Sequence, residues 1–219
     1  MLHPVSTESP VRLDLDSLRR LFGAPSRDTY VPAAYSGDAG PPGGDVRPAA
    51  VLMPLVDRSQ GLTVLFTRRT AHLRSHAGQI SFPGGRSEPQ DASPAETALR
   101  ETREEIGLEP SRVEVLGFLP SQYTTRSGFI VTPVVGVVRP PFELHPERSE
   151  VDEVFEVPLA FLMDPANHRQ GSIVVEGETR QFHAIPFGDY YIWGVTAGIL
   201  IHFYWFLNST DARRLRGTA

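Results

Sequence analysis

The chain has 219 residues, 40% of them hydrophobic, values typical of one globular domain with an ordinary core. It contains no cysteine, which excludes disulfide bonds, thiolate zinc sites and cysteine nucleophiles. Its 26 acidic residues outnumber the 21 basic ones, and no extended basic face with interleaved aromatic residues is present, so we expect no nucleic-acid partner. Residues 1–16 lack the apolar core of a signal peptide, and we therefore expect a cytoplasmic protein.

The N-terminal region predicts a short helix followed by an irregular arm. Residues 14–21 form an amphipathic helical pattern, whereas residues 23–48 are rich in Pro, Gly and Ser. Apolar runs at 49–55 and 62–67, joined by a turn, predict two strands. We therefore divide the chain into a helix and arm (1–48), a main domain (49–209) and a C-terminal tail (210–219).

A glycine turn follows a third strand. Residues 80–82 predict the strand, Pro83 ends it, and Gly84 and Gly85 permit backbone angles that are closed to other residues. Such a turn allows the backbone to come close to a phosphate group. We therefore predict that Gly84 and Gly85 bind substrate.

Positive charge is concentrated just before this turn, in Arg68, Arg69, His72, Arg74 and His76. One interpretation is a solvated basic loop. The other is that arginines bind phosphate, which the planar guanidinium group does well. Because the cluster adjoins the glycine turn, we predict substrate contacts from Arg68, Arg69 and Arg74. The two histidines are expected to be loop residues rather than metal ligands.

The next element predicts a helix with defined ends. Ser93 is a plausible N-cap, Pro94 stands at the first helical position, and Glu96 completes a capping box. Gly107 can adopt the left-handed conformation that ends a helix. Within the helix, a mostly apolar stripe is formed by Ala95, Leu99, Thr102 and Ile106.

Three glutamates crowd the last turns of this helix. Glu101, Glu104 and Glu105 have i, i+3 and i+4 spacing, so we expect them to share the face opposite the apolar stripe. They lie near the negative end of the helix dipole, which adds to their repulsion. One interpretation is a solvated acidic face eased by Arg100 and Arg103. The other is a site for a hard divalent cation, because Mg²⁺ prefers oxygen ligands.

The rest of the chain alternates between predicted strands and short helices. Strands are expected at 113–119, 129–138 and 154–157, a short helix at 158–163, and a hairpin at 172–175 and 181–185. Residues 192–207 are strongly apolar but too few to cross a bilayer, for which roughly 20 are needed. We predict a buried C-terminal helix there, with His202 in a structural role.

Two adjoining motifs in residues 65–108 resemble those of the Nudix hydrolase superfamily. The Nudix box, Gx5Ex7REUxEExGU with U apolar, is matched by Gly85, Arg100-Glu101, Glu104-Glu105 and Gly107-Leu108. The chain departs from the box at Asp91, which stands where Glu is usual and is separated from Arg100 by eight residues instead of seven. A further departure is Thr102 at the apolar position.

The preceding segment is similar to the signature of coenzyme A diphosphatases, a branch in which the longer loop is usual. The matching residues are the run 65–70 (LFTRRT), Arg74, Gly78 and the run 82–85 (FPGG). Phe66 and Thr70 are mild departures from that signature. A weaker resemblance extends over residues 46–207. The resemblance implies an α+β fold, in which a mixed β-sheet is sandwiched between helices and carries a strand–loop–helix catalytic motif.

The resemblance also implies a reaction, the hydrolysis of coenzyme A to 4′-phosphopantetheine and adenosine 3′,5′-bisphosphate with Mg²⁺ or Mn²⁺, with acyl-CoA as a further candidate substrate. Glu101 and Glu105 would be the main metal ligands and Glu104 a third or water-mediated one. The catalytic residues would be Arg100, which orients the glutamates, and a general base, for which Glu104 and Glu150 are both candidates. An exposed loop acid is an equally good interpretation of Glu150.

Several alternatives remain open on the sequence alone. The substrate of a Nudix hydrolase with these motifs could instead be ADP-ribose or NADH. A nucleotide-sensing module that no longer hydrolyses its ligand is a different class of function, which the three retained glutamates disfavour. Many members of the superfamily dimerise, so a homodimer is one expected state, and no membrane partner is expected.

Overall fold

The computed structural model describes residues 14–23, 46–72, 77–124, 128–175 and 177–209. The helices are α1 (Leu15–Gly23), α2 (Pro94–Ile106), α3 (Leu159–Leu162) and α4 (Gly194–Asn208). The strands are β1 (Arg47–Arg58), β2 (Gly61–Arg69), β3 (Ile80–Ser81), β4 (Gly84–Arg86), β5 (Val113–Phe118), β6 (Gln122–Thr124), β7 (Phe129–Val138), β8 (Val151–Pro158), β9 (Arg169–Val175), β10 (Glu178–Phe187) and β11 (Tyr190–Trp193).

Eight of these strands form one mixed sheet. Its main order is β3-β2-β1-β7-β5, with β4 paired to β1, β6 to β7 and β8 to β2. The long β1 and β7 run parallel, and the other pairs in this sheet are antiparallel. Strands β11, β10 and β9 form a second, antiparallel sheet. The predicted α+β class with a mixed sheet is therefore confirmed.

The main sheet separates two apolar clusters, because successive side chains of a strand point to opposite faces. On β2, Leu65 packs with the α2 side, whereas Val64 and Phe66 belong to the larger cluster that includes α4 and the second sheet. Leu52 and Met53 divide in the same way on β1. The sheet is thus covered by α2 on one face and by α4 with the second sheet on the other.

The C-terminal apolar segment corrects one prediction. Its helix begins at Gly194 rather than at Ile192, because residues 190–193 form β11. Ile192 pairs with Ile185 and Trp193 with Ala184, and Gly194 turns the chain with a φ of 64°. Apolar content alone did not distinguish the final strand from the helix that follows it. Within the residues that the structure describes, no helix is long and apolar enough to cross a membrane.

Helix α1 packs into the larger cluster. Leu18 is fully buried and Leu21 is 6% exposed. The Arg19 guanidinium donates two hydrogen bonds to the Glu114 carboxylate on β5, at 2.7 and 2.8 Å. The Phe22 ring lies 4.8 Å from the Phe206 ring of α4. This helix therefore contributes to the core of the main domain. The proposed boundary at residue 48 stays a prediction. Residues 24–45 of the arm and the tail 210–219 lie outside the described residues.

We expect Leu18→Ala to lower the free energy of unfolding by about 2–5 kcal/mol, because it removes a fully buried side chain and leaves a cavity. Urea unfolding followed by circular dichroism would measure the change. Arg20→Ala is the matched control on the exposed side of the same helix, where we expect a change within about 0.5 kcal/mol. Equal effects of the two substitutions would show that α1 does not belong to the core.

Candidate active site

Helix α2 begins and ends where the sequence predicts. The Ser93 hydroxyl accepts a hydrogen bond from the Glu96 N–H at 3.2 Å, and the Glu96 carboxylate accepts one from the Ala92 N–H at 2.9 Å. At the other end, Gly107 has a φ of 71° and its N–H donates to the Arg103 carbonyl at 2.9 Å. These contacts fix where the glutamates of the helix lie.

The glycine turn lies directly beside the glutamates. Gly84 and Gly85 are the first residues of β4 and pair with Val51 and Ala50 of β1. A side chain on Gly84 would collide with this neighbouring backbone, and one on Gly85 would overlap the Glu101 carboxylate. Glycine is therefore required at position 84 by the backbone of the neighbouring strand, whereas a side chain at position 85 would displace the Glu101 carboxylate.

The glutamates differ sharply in exposure, which corrects the expectation that all share a face away from the core. Their side chains are 7% exposed for Glu105, 18% for Glu101 and 60% for Glu104. The Glu105 side chain is buried because it lies between the helix and the glycine turn, where its carboxylate accepts a hydrogen bond from the Gly84 N–H at 3.1 Å. Sequence spacing could not reveal this contact, because it depends on where β4 lies.

Burial raises the pKa of Glu105 to about 7. The Gly84 N–H and the Arg69 guanidinium, 3.5 Å away, oppose this shift, whereas repulsion from Glu101 and Glu150 adds to it. Burial also raises the pKa of Glu101, although its ion pair with Arg100 at 2.9 Å acts in the opposite direction. For both carboxylates, the hydrogen bonds and positive charges nearby are therefore too weak to offset the cost of burying the negative charge.

Arg100 is the centre of the ionic network around the helix. Its guanidinium bonds the two oxygens of Asp91 at 3.0 and 2.9 Å, and it also contacts Glu101 at 2.9 Å and Glu104 at 3.2 Å. A further hydrogen bond goes to the Arg86 carbonyl at 3.0 Å. Arg100 thus joins two of the glutamates to the loop that follows the glycine turn, as expected for a residue that orients them.

Asp91 holds Arg100 in place, a contact that the sequence analysis missed. The sequence marked Asp91 only as a departure from the box, yet its carboxylate forms the bidentate pair and accepts from the Thr97 hydroxyl at 3.0 Å and the Glu88 N–H at 2.9 Å. The Arg100 contact holds the pKa of Asp91 well below its usual range. This arrangement accommodates Asp91 in place of the usual Glu, together with the extra residue between position 91 and Arg100.

Glu150 lies in a loop that packs against the end of α2. The Glu147 N–H donates to the Glu105 carbonyl at 2.9 Å, and the Glu150 carbonyl accepts from the Thr70 N–H at 2.9 Å. The Glu150 side chain is exposed, and its charge adds by repulsion, as the smallest of the causes, to the raised pKa of Glu101 and Glu105. The structure therefore brings a loop acid distant in sequence to the glutamates of the helix.

The predicted basic cluster does not lie together. Arg69 reaches Glu105, but Arg68 pairs with Asp152 at 3.0 Å and Glu153 at 2.9 Å on the side of the second sheet. Alternation along β2 separates the two arginines onto opposite faces. Arg74 lies outside the described residues. Substrate contacts by Arg68, Arg69 and Arg74 remain predictions.

The donor set suits a hard divalent cation, because carboxylate oxygens are the ligands that Mg²⁺ and Mn²⁺ prefer. Glu101 and Glu105 have a raised pKa, and a neighbouring cation would stabilise their charged form. Among the residues described, no three His, Asp or Glu side chains already form a metal cluster. Glu104, which pairs with Arg100, would have to turn away from it or act through water to become a third ligand.

We expect the stability of the metal-free protein to rise as the pH falls from 8 to 6. Between the unfolded value near 4.5 and the folded pKa of about 7, the folded protein holds a proton on Glu105 that the unfolded chain does not. This contribution is complete below the unfolded value and is lost as the pH rises through 7. Urea unfolding in the presence of a chelator would measure it.

The isosteric variant Glu105→Gln provides the control for this pH dependence, because it cannot ionise. We expect its unfolding free energy to vary less between pH 6 and pH 8 than that of the wild type. The same pH slope in both proteins would show that other groups, and not Glu105, are responsible.

Comparison with known proteins places the chain in a family. The NUDIX domain family matches residues 46–175. The uncharacterized Nudix hydrolase NudL of Escherichia fergusonii is 43% identical over 155 residues, which cover 70% of this chain and 79% of that protein, and NudL of Escherichia coli K12 has the same values. A solved Nudix hydrolase from M. smegmatis, RenU, superposes with a TM-score of 0.44 at 23% identity, over 52% of this chain and 71% of that one. The family match and the NudL relatives together show that the chain belongs to the Nudix hydrolases, enzymes that act on phosphorus-containing anhydrides.

Proposed function

We propose that this protein hydrolyses the diphosphate bond of coenzyme A to 4′-phosphopantetheine and adenosine 3′,5′-bisphosphate, with Mg²⁺ or Mn²⁺ as cofactor. The observation that carries hydrolysis is the packing of Glu101 and Glu105 against the Gly84–Gly85 turn, with a raised pKa on both carboxylates. The choice of coenzyme A is supported by the resemblance of residues 65–85 to the coenzyme A diphosphatase signature.

The chain's own residues would hold and orient the reactants. Glu101 and Glu105 would bind the cation, which when present neutralises phosphate charge and lowers the pKa of water. Arg100 would position Glu101 and Glu104 through its ion pairs. The oxygen of water forms a bond to one phosphorus of the diphosphate, the bridging oxygen leaves with the other phosphate, and a carboxylate takes the released proton.

Glu150 is the better supported of the two candidate bases. Its negative charge raises the pKa of both Glu101 and Glu105. Glu104 raises only the pKa of Glu101 and is itself paired with Arg100 at 3.2 Å. A base must be able to accept a proton without first losing an ion pair. In this proposal Glu104 assists in binding the cation and Glu150 accepts the proton.

We expect purified protein with Mg²⁺ or Mn²⁺ to hydrolyse coenzyme A faster than ADP-ribose or NADH. Chromatography of the products from this panel, extended to an acyl-CoA, measures the preference. If coenzyme A is untouched while ADP-ribose is cleaved, the proposed substrate is wrong and the rival nucleotide specificity is correct.

The variant Glu101→Gln provides the control that distinguishes catalysis from ligand sensing in the same panel. We expect its kcat to fall by roughly two orders of magnitude or more, the range for loss of one charge-stabilising group. Exposed Glu88→Gln, in the loop before the helix, is the matched acidic control and should retain activity. No hydrolysis of any substrate by the wild type would favour the sensing module.

We expect Glu150→Gln to lower kcat by about 10²–10⁴-fold, the range for loss of a general base, with little change in metal affinity. It should also remove the acidic limb from the pH profile of kcat. Glu104→Gln should instead weaken metal binding, seen as a higher metal concentration for half-maximal rate. If Glu104→Gln removes the acidic limb and Glu150→Gln does not, the two roles are reversed.

A further inference from the structure

A cleft with a volume of about 420 Å³ lies between the edge strand β3 and the hairpin formed by β10 and β11. This volume is within the range of small-molecule sites. Its walls include Gln79, Ile80, Asp189 and the aromatic residues Tyr190, Tyr191 and Trp193. No step of the proposed hydrolysis uses these residues.

The walls of the cleft are held by contacts of their own. Ile80 pairs with Arg68 of β2, and its carbonyl accepts a hydrogen bond from the Thr196 hydroxyl of α4 at 3.1 Å. On the opposite wall, the Tyr190 ring stacks on Phe155 with centroids 3.7 Å apart. The cleft is therefore lined in part by strands of the fold, with β3 hydrogen-bonded to α4, and not by a loop alone.

The charges around the cleft disfavour a phosphate group. Among the described residues of the lining, Arg68 is the cation, and it is already paired with Asp152 at 3.0 Å and Glu153 at 2.9 Å. The Tyr190 hydroxyl also donates to Glu153, at 2.7 Å, and Asp189 adds a further carboxylate at the hairpin turn. The Arg68 guanidinium is thus neutralised by Asp152 and Glu153, and Asp189 adds negative charge to the lining, so an uncharged group fits this field better than an anion.

The chemistry of the lining suits a flat heterocycle. Aromatic side chains provide stacking surfaces for a purine base. The Gln79 amide can donate and accept hydrogen bonds, and the Asp189 carboxylate can accept one from an exocyclic amine. A flexible chain of amides would use these aromatic surfaces less well than a ring.

The cleft is also within reach of the glycine turn. Gly84 is the fourth residue after Ile80, and an extended chain of that length spans at most about 14 Å. That distance is on the scale of a ribose and a diphosphate. A nucleotide whose diphosphate lies at the turn can therefore place its base past the end of β3.

We propose that this cleft binds the adenine base of the nucleotide substrate, by stacking on its aromatic residues and by hydrogen bonds to Gln79 and Asp189. The proposal rests on the proposed function in that it assumes an adenine nucleotide, and it holds equally for coenzyme A and ADP-ribose. It assigns two parts of the substrate to different parts of the fold, with the diphosphate at α2 and the base at the second sheet.

The test compares the two products of coenzyme A hydrolysis as inhibitors. In Tyr190→Leu, the inhibition constant of adenosine 3′,5′-bisphosphate and the KM for coenzyme A should each rise by roughly tenfold, the order expected for a lost base–aromatic contact. The inhibition constant of 4′-phosphopantetheine and the kcat should stay close to wild type. Tyr190→Phe retains the ring and should bind the adenosine product like the wild type.

Two controls exclude a general loss of structure. Tyr204→Leu removes a comparable half-buried tyrosine, which packs on His168, and should leave both inhibition constants unchanged. If Tyr190→Leu does not fold, Tyr191→Leu replaces it, because the Tyr191 side chain is half exposed. It should raise the same inhibition constant.

The proposal is overturned if a folded cleft variant binds adenosine 3′,5′-bisphosphate as the wild type does. It is also overturned if the inhibition constant of 4′-phosphopantetheine rises instead, which would place the pantetheine arm in the cleft. If the wild type does not cleave coenzyme A, the proposed substrate fails separately. Calorimetric titration of adenosine 3′,5′-bisphosphate into wild type and variant then tests the cleft without catalysis.

Discussion

The site depends on the close contact between a glycine turn and two buried carboxylates. Glu101 occupies the space that a side chain on Gly85 would fill, and Glu105 accepts the Gly84 N–H at 3.1 Å. Burying a carboxylate without full compensation is costly, and here the cost appears as a raised pKa for both glutamates. The surrounding strands and the helix caps hold this arrangement in place, and a cation bound there, as proposed, would stabilise the charged form of both carboxylates.

Arg100 explains why the crowded glutamates do not disrupt the helix. It contacts Glu101 and Glu104 simultaneously and is fixed by the bidentate pair with Asp91. Glu105 is outside this network and has Arg69 as a counter-ion at 3.5 Å. The negative charges of Glu101 and Glu104 are therefore balanced by a close arginine, whereas the charge of the buried Glu105 is balanced only weakly. This asymmetry makes Glu105 the strongest candidate for an anchoring cation ligand.

Local sequence patterns predicted the parts of the fold that local interactions control. The caps of α2 and the left-handed Gly107 depend on neighbours within a few residues, and they match the structure. The local run of β-branched residues at 129–138 also predicts the strand found there. The pairing of Gly84–Arg86 with β1, and of residues 190–193 with β10, depends on segments far away in sequence. Sequence spacing therefore identified the glutamates but not that Glu105 is buried.

The same distinction applies to the basic residues before the turn. Their proximity in sequence suggested one phosphate-binding cluster, yet strand alternation sends Arg69 toward α2 and Arg68 toward the second sheet. Each arginine there meets a carboxylate, so the two faces of one strand have different electrostatic surroundings. On the α2 face, Glu105 has, among the described residues, only Arg69 at 3.5 Å as a counter-ion, which suits the proposed binding of a cation and phosphate groups there. On the other face, Arg68 is already neutralised by Asp152 and Glu153, and what remains accessible is aromatic surface. In the proposed binding mode, the diphosphate therefore lies on the α2 side of β2 and the base lies on the side of the second sheet. The alternation of side chains along β2 gives these two sides different charges.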